Sequence, residues 1–231
     1  MSFARSPLVV GHRGAAGLAP ENTIQSFALA VQLGVAAVEL DVHYVHGKLI
    51  VIHDDRLDRT TSGSGALSDY DLETLRSLDA GLGQSIPYLE EVFAAVPNDI
   101  GINIELKGRG TARPVVEWLY GQQDRDVLIS SFNLDELNEF ENFSGGQFKV
   151  APLFDKWRPT VWQVAEALGA WSINLSARAA SKRRINEAVE RELKVLVYTV
   201  NDEVTARRLL GWGVAGFFTD FPNRMIALAE G

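Results

Sequence analysis

The chain has 231 residues and no cysteine, and 22 Lys and Arg against 30 Asp and Glu leave it a net charge of −8. Its length suits one domain of moderate size or two small ones, and 46% apolar with 23% charged residues excludes a disordered chain. Disulfides, thiolate metal sites and a cysteine nucleophile are excluded outright. The acidity speaks against nucleic acid and anionic lipid as partners, so a small soluble molecule is expected.

No apolar run approaches the ~20 residues of a membrane span. Met1–Pro7 has one arginine and no long apolar stretch, unlike a secretory signal. A cytoplasmic protein with no stable membrane insertion is therefore expected, its oligomeric state left open.

In chain order, short runs rich in Val and Ile alternate with stretches of helical spacing. Strands are expected at Leu8–Gly11, Ala37–Val42, Ile100–Leu106, Val127–Ser130, Lys149–Leu153, Ser172–Leu175, Val195–Val200 and Gly216–Thr219. They are almost continuously apolar, as parallel strands covered on both faces are. Helices are expected at Asn22–Gly34, Tyr88–Val96, Ala112–Gly121, Leu134–Phe143, Pro159–Leu168, Ala180–Glu192, Asp202–Gly211 and Pro222–Ala229. Strand and helix alternating through eight units, at close to the usual ~250 residues, predict an α/β chain folded as one (β/α)8 TIM-type barrel over residues 1–231. A doubly wound open sheet is the alternative, weakened because no Gly-x-Gly-x-x-Gly follows the first strand.

The pattern breaks after Val42. His43–Lys48 and Leu49–His53 read as a β-hairpin arm. Residues 54–85, with little apolar periodicity and several Gly, Ser and Thr, read as a small insertion on the rim. Gly63-Ser64-Gly65 suggests a mobile flap there.

In such a barrel the site forms at the C-terminal strand ends. The first strand ends in His12-Arg13-Gly14, the second carries Glu39 and Asp41, the third Glu105 and Lys107, and the hairpin returns at His53-Asp54. Residues two apart on a strand share a face, so Glu39, Asp41 and Glu105 converge. Carboxylates gathered without a counterion are strongly unfavourable. A divalent metal resolves this, and an all-oxygen set suits Mg²⁺ or Ca²⁺ better than Zn²⁺. Three carboxylates and a doubly charged cation leave one negative charge. Arg13 and Lys107 turn that into one positive charge, which matches a singly charged phosphodiester. The bland alternative is a set of buried ion pairs. His12 and His53 are the natural acid–base pair for hydrolysis, since histidine titrates near neutrality.

The hairpin carries a geometric expectation. A two-residue loop, His46-Gly47, with a regular ladder sets His53 opposite Leu40, facing away from the carboxylates. A three-residue loop, Val45-His46-Gly47, with Gly47 left-handed, pairs Tyr44 with Lys48 and sets His53 opposite Glu39. The catalytic reading therefore predicts the three-residue loop.

Other residues carry blander expectations. Asn22 with Gln25 looks like a helix-capping pair. Glu21 fits a site buttress or a helix start equally well. His43 lies on the carboxylate face, and His46 is a solvated turn residue. Phe132, Trp157 and Tyr198 stand where strands end and are expected to wall a pocket or simply to pack. Asp220 reads as a turn or cap residue.

Taken together, the sequence resembles the glycerophosphodiester phosphodiesterase family. The resemblance rests on His12-Arg13-Gly14, Pro20-Glu21-Asn22-Thr23, Glu39-x-Asp41, His53-Asp54, Leu57-x-Arg59-Thr60-Thr61, Ile86-Pro87-x-Leu89-Glu90-Glu91-Val92, Glu105-x-Lys107, Thr199-Val200-Asn201 and Thr219-Asp220-x-Pro222. Each motif alone is weak; their order and spacing are specific. The resemblance implies a distorted barrel with an insertion after the second strand. It implies hydrolysis of small glycerophosphodiesters to glycerol 3-phosphate and an alcohol, with His12 and His53 as acid and base, Glu39, Asp41 and Glu105 as metal ligands, and Arg13 and Lys107 as phosphate contacts. Attack by a substrate hydroxyl through a cyclic phosphate and direct attack by water both agree with it. Tyr88, Tyr198 and Ala215 depart from the family's usual Thr, Trp and Asp, and Tyr198 and Phe221 are expected to shape the alcohol pocket. Cleavage of lysophospholipids, a non-catalytic phosphoester-binding barrel and a Mg²⁺-dependent isomerase are the alternatives.

Overall fold

The computed structural model of the chain describes residues 2–122 and 124–229. Its strands are β1 (Leu8–Gly11), β2 (Ala37–Val45), β3 (Lys48–Val51), β4 (Gly101–Leu106), β5 (Val127–Ser131), β6 (Lys149–Phe154), β7 (Ser172–Ser176), β8 (Lys194–Tyr198) and β9 (Gly216–Thr219). Its helices are α1 (Ile24–Gln32), α2 (Leu72–Ser77), α3 (Leu89–Ala95), α4 (Ala112–Leu119), α5 (Leu134–Ser144), α6 (Val161–Ala167), α7 (Lys182–Glu190), α8 (Glu203–Leu210) and α9 (Pro222–Ala229). Neighbouring strands follow the order β1-β9-β8-β7-β6-β5-β4-β2, and β2 pairs back onto β1. Eight parallel strands thus close a TIM-type barrel, and β3 adds antiparallel to β2 as an arm. Among the described residues no helix is long and apolar enough to cross a membrane.

Alternation along each strand sorts the side chains. Val38, Leu40 and Val42 of β2 and Ile102, Ile104 and Leu106 of β4 belong to the apolar layer under the helices. Leu8, Val10, Ala37, Leu128, Ala151, Leu196 and Phe218 fill the lower barrel interior, and Phe3 packs with them. On the same inward face, one or two pleats higher, β2 carries Glu39 and Asp41 and β4 carries Asn103 and Glu105. Apolar burial at one end of the barrel thus frees the other end for polar groups.

Two boundaries differ from expectation. Helix α1 is capped by Thr23, whose Oγ1 accepts the Ser26 N–H at 3.2 Å, and not by Asn22. Asn22 is buried with φ 57° and turns its side chain to Asp41. Strand β8 stops at Tyr198, although the Val200 N–H still donates to the Phe218 carbonyl at 2.9 Å.

The hairpin loop is the two-residue form, contrary to expectation. Val45 pairs with Lys48, and His46 and Gly47 both take positive φ, 49° and 81°. That is the signature of a type I′ turn, whose twist matches that of the flanking strands. His53 nevertheless reaches the barrel mouth because the assumption of a regular ladder fails. The last pair is Val42–Val51, Ile52 donates to the Asp41 carbonyl, and the chain bends at residues 53–55.

Residues 54–85 form α2 and a short 3-10 turn at Leu67–Asp69 over a small core of Leu57, Leu67, Leu75 and Ala80 against Ile50 and Ile52 of the arm. The glycine-serine tip is tied down. Tyr70 Oη donates to the Ser64 carbonyl at 2.8 Å, and Gly63 sits against Leu78.

Candidate active site

The catalytic-face loops and strand ends enclose a cavity of about 160 Å³. His12, Arg13, Glu39, His53, Asn103 and Glu105 line its polar side, and Phe132, Leu153, Tyr198 and Phe218 its apolar side.

The loop after β1 depends on two residues with left-handed backbone, Arg13 and Gly14. Arg13 is left-handed at φ 51°, a conformation that costs a non-glycine residue energy and persists only where contacts fix it. Its N–H donates to Glu39 Oε2 at 2.8 Å, and its carbonyl accepts from the Ser26 hydroxyl and the Asn22 N–H. Gly14 follows at φ 85°, where a Cβ would stand 2.5–2.8 Å from Ser26 and the Phe27 nitrogen. Only glycine lets the loop lie this close to α1.

Glu39, Asp41 and Glu105 each offer an oxygen within 4.8 Å of the others. Asp41 pairs with Glu105 across β2 and β4, so the register itself brings them together. Glu39 Oε1 and Asp41 Oδ1 are buried and accept no hydrogen bond. Lys107 Nζ donates to Glu105 at 2.9 Å, and Arg13 Nε lies 3.4 Å from Asp41. These cations do not satisfy the acids. Burial, then the neighbouring Asp41, pushes Glu105 up to about 7 and Glu39 well above the usual carboxylate range. Buried oxygens without donors, in a cluster whose charge is under-compensated, are the setting that a hard divalent cation fits.

Each pocket histidine is held by a carboxylate at Nδ1. His12 Nδ1 lies 2.7 Å from Asp220 Oδ1, and His53 Nδ1 lies 2.5 Å from Asp54 Oδ1. A carboxylate only accepts, so Nδ1 of each ring carries a proton. Lys107 Nζ stands 3.0 Å from His53 Nε2. Asn201 in turn donates to Asp220 Oδ2 at 2.6 Å. Asp220 was expected to be a turn residue; barrel closure instead sets the residue after Thr219 beside the residue after Gly11, since those two pair across β9 and β1.

A sequence model of the glycerophosphoryl diester phosphodiesterase family matches residues 12–224, which span all of these groups. The chain belongs to this family. A glycerophosphodiester phosphodiesterase of Caldanaerobacter subterraneus is 33% identical over 96% of this chain and 98% of its own length. Among solved structures, an Oleispira antarctica phosphodiesterase in complex with its product sn-glycerol-3-phosphate superposes with a TM-score of 0.92 at 29% identity, covering 100% of this chain and 99% of that one. A glycerophosphodiester phosphodiesterase from Thermotoga maritima superposes at 0.83 with 28% identity over 96% and 97% of the two chains.

Within this member of the family, other expectations resolve as follows. Glu21 buttresses the site, accepting Arg13 Nη1 at 2.7 Å. Asn22 donates to Asp41 Oδ2 at 2.8 Å and accepts the Asp41 N–H, so its pairing with Gln25 misled. His43 is buried and meets the His53 carbonyl through Nε2 at 3.1 Å; burial holds its pKa down. Phe132 and Tyr198 face the cavity and meet edge to face at 5.7 Å. Trp157 does not line it; it packs on Trp162 and under Arg184. Phe221 lies against Gly17, outside the cavity, so the last strand's contribution to the wall is Phe218. Asp54, Arg59 and Asn201 stand inside the quoted motifs but were given no role there; the structure sets Asp54 on His53, Arg59 on Asp54 and Glu21, and Asn201 on Asp220.

Proposed function

We propose that the protein hydrolyses glycerophosphodiesters to glycerol 3-phosphate and a free alcohol. One observation carries this reading beyond family membership. Two buried carboxylate oxygens, on Glu39 and Asp41, lack donors beside Glu105, in a cluster flanked by two imidazoles whose Nδ1 positions are both occupied by carboxylates.

A divalent cation, Mg²⁺ or Ca²⁺, would be held by Glu39, Asp41 and Glu105; when bound it supplies Lewis-acid polarisation of a phosphoryl oxygen. Arg13 and Lys107 orient the phosphodiester and offset its negative charge, and both stay charged because nearby carboxylates outweigh the cost of burial, Asp41 and Glu21 foremost for Arg13 and Glu105 and Asp41 for Lys107. One neutral imidazole takes the proton of the attacking hydroxyl on Nε2; the other enters the step as the imidazolium, its Nδ1–H held by a carboxylate, and gives its Nε2 proton to the leaving alkoxide. Asp220 and Asp54 accept the Nδ1 protons and so leave proton transfer to Nε2 of each ring. Phe132 and Tyr198 wall the side on which an organic substituent lies and exclude water there.

Phosphorus NMR of glycerophosphocholine and glycerophosphoethanolamine incubated with the protein and Mg²⁺ or Ca²⁺ tests the reading. A growing glycerol 3-phosphate resonance is expected. No cleavage of any glycerophosphodiester with either metal contradicts it.

A further inference from the structure

The Leu57-x-Arg59-Thr60-Thr61 motif has no part in the mechanism above, yet its arginine lies between two of the groups that mechanism uses. Arg59 Nε donates to Asp54 Oδ2 at 2.7 Å and Nη2 to Asp54 Oδ1 at 3.2 Å. Nη1 and Nη2 each reach a different oxygen of Glu21 at 2.8 Å. One guanidinium thus makes a bidentate contact with each of two carboxylates, the geometry its planar fork suits best. Neither carboxylate stops there. The same Asp54 Oδ1 bonds His53 Nδ1, and the same Glu21 Oε1 accepts from Arg13 Nη1. A chain of hydrogen bonds therefore runs His53–Asp54–Arg59–Glu21–Arg13.

The backbone around Arg59 is built to hold it still. Leu57, fully buried in the core of the insertion, anchors one side. The Thr61 N–H and hydroxyl both return to the Leu57 carbonyl, at 3.1 and 2.8 Å, and the Thr61 Oγ1 accepts the Gly63 N–H. Arg59 is therefore presented from a tight turn rather than from a free loop. Its partners come from elsewhere, Glu21 from the loop after β1 and Asp54 from the bend after β3.

We infer that Arg59 is a positioning residue that sets His53 and Arg13 in register with each other, through Asp54 and Glu21, without touching the substrate itself. This rests on the acid–base and phosphate-binding roles proposed for His53 and Arg13. The insertion then has a task in catalysis: it carries the group that ties the imidazole to the phosphate contact. The contacts to Arg59 hold both carboxylates ionised, below their usual range, which keeps Asp54 an acceptor for the His53 Nδ1 proton.

The test uses the full chain with Arg59→Met, Arg59→Lys, Asp54→Asn, Glu21→Gln and the triple variant R59M/D54N/E21Q. Arg59→Met is expected to lower kcat by about 10–100-fold, the usual scale for a partner that orients a reacting group. Arg59→Lys, which keeps the charge but not the fork, restores only part of that. Because the three residues act as one unit, the triple variant loses no more than the worst single one. A second readout needs no turnover: ¹⁵N shifts of the imidazoles, with four histidines to assign. In Arg59→Met the His53 nitrogens move toward the fast-exchanging tautomer mixture, while those of His46, in the exposed turn, stay put. A kcat within twofold of wild type, losses that multiply in the triple variant, or unmoved His53 shifts each overturn the inference. If wild type cleaves no glycerophosphodiester, the functional reading fails, and the imidazole shifts still decide the role of Arg59 on their own.

Discussion

Lys107 Nζ lies 3.0 Å from Nε2 of His53. An ammonium can only donate, so the imidazole accepts there, while Nδ1 donates to Asp54. Both ring positions therefore specify a neutral His53. Its pKa is lowered, chiefly by burial, with Arg13 and Lys107 adding to the effect against Asp41 and Asp54. The pair also places the proposed phosphate contact beside the proposed proton-transfer group.

Removing either imidazole is the first prediction. His12→Ala and His53→Ala each cut kcat by about 10²–10⁴-fold with folding intact. Asp220→Asn, which replaces an acceptor at His12 Nδ1 with a group that can flip, costs about 10–100-fold. Steady-state rates with circular dichroism as the folding control measure both.

Metal binding is visible without turnover. Chelated protein carries an under-compensated acidic cluster, so Mg²⁺ or Ca²⁺ raises its Tm by mass action, in proportion to the logarithm of free metal. Glu39→Gln and Asp41→Asn abolish that rise. Glu39→Gln also melts higher than wild type in chelator, because it removes the cost of burying a carboxylate, to which neighbouring Asp41 and Glu105 add. Scanning calorimetry across a metal series gives all three results.

The turn at the end of the arm makes a stability prediction. His46 and Gly47 both have positive φ, and an Asn-Gly pair is the strongest sequence for such a turn. His46→Asn therefore stabilises the protein by up to about 1 kcal/mol, and Gly47→Ala destabilises it by about 1–2 kcal/mol. Urea midpoints at constant m-value check the signs.

Much of this architecture is legible in the sequence. Val- and Ile-rich runs locate the parallel strands, and a period of two puts Glu39 with Asp41 and Glu105 with Lys107 on the inner face. Contacts made by closure are not legible in that way. Asp220 stands 208 residues from His12 and reaches it only because β9 pairs with β1. Asn22 satisfied a local helix-capping rule, while tertiary contact with Asp41 governs it. The register of the arm was misread because His46 is an unexpected residue at positive φ, and because the ladder was assumed to continue to His53.

At the opposite end of the barrel, Asp126 accepts the Phe3 N–H at 3.0 Å and Lys149 Nζ at 2.6 Å. Burial alone would raise its pKa, but these contacts outweigh it and the pKa is lowered. The unfolded chain then binds its proton first as pH falls, so the contribution of Asp126 is full above the ordinary value of 3.8 and fades below it. Asp126→Asn is expected to cost about 1–3 kcal/mol at pH 7, with the gap to wild type closing as pH drops. Urea unfolding at a series of pH values reads it.

The three converging carboxylates are proposed to bind a cation which the reaction requires. Glycerol 3-phosphate release from glycerophosphoethanolamine is measured before and after exhaustive chelation, and again after adding back Mg²⁺ or Ca²⁺. Wild type is expected to lose activity on chelation and regain it with the added metal, and Asp41→Asn to regain none. Full activity in rigorously metal-free protein would contradict that requirement.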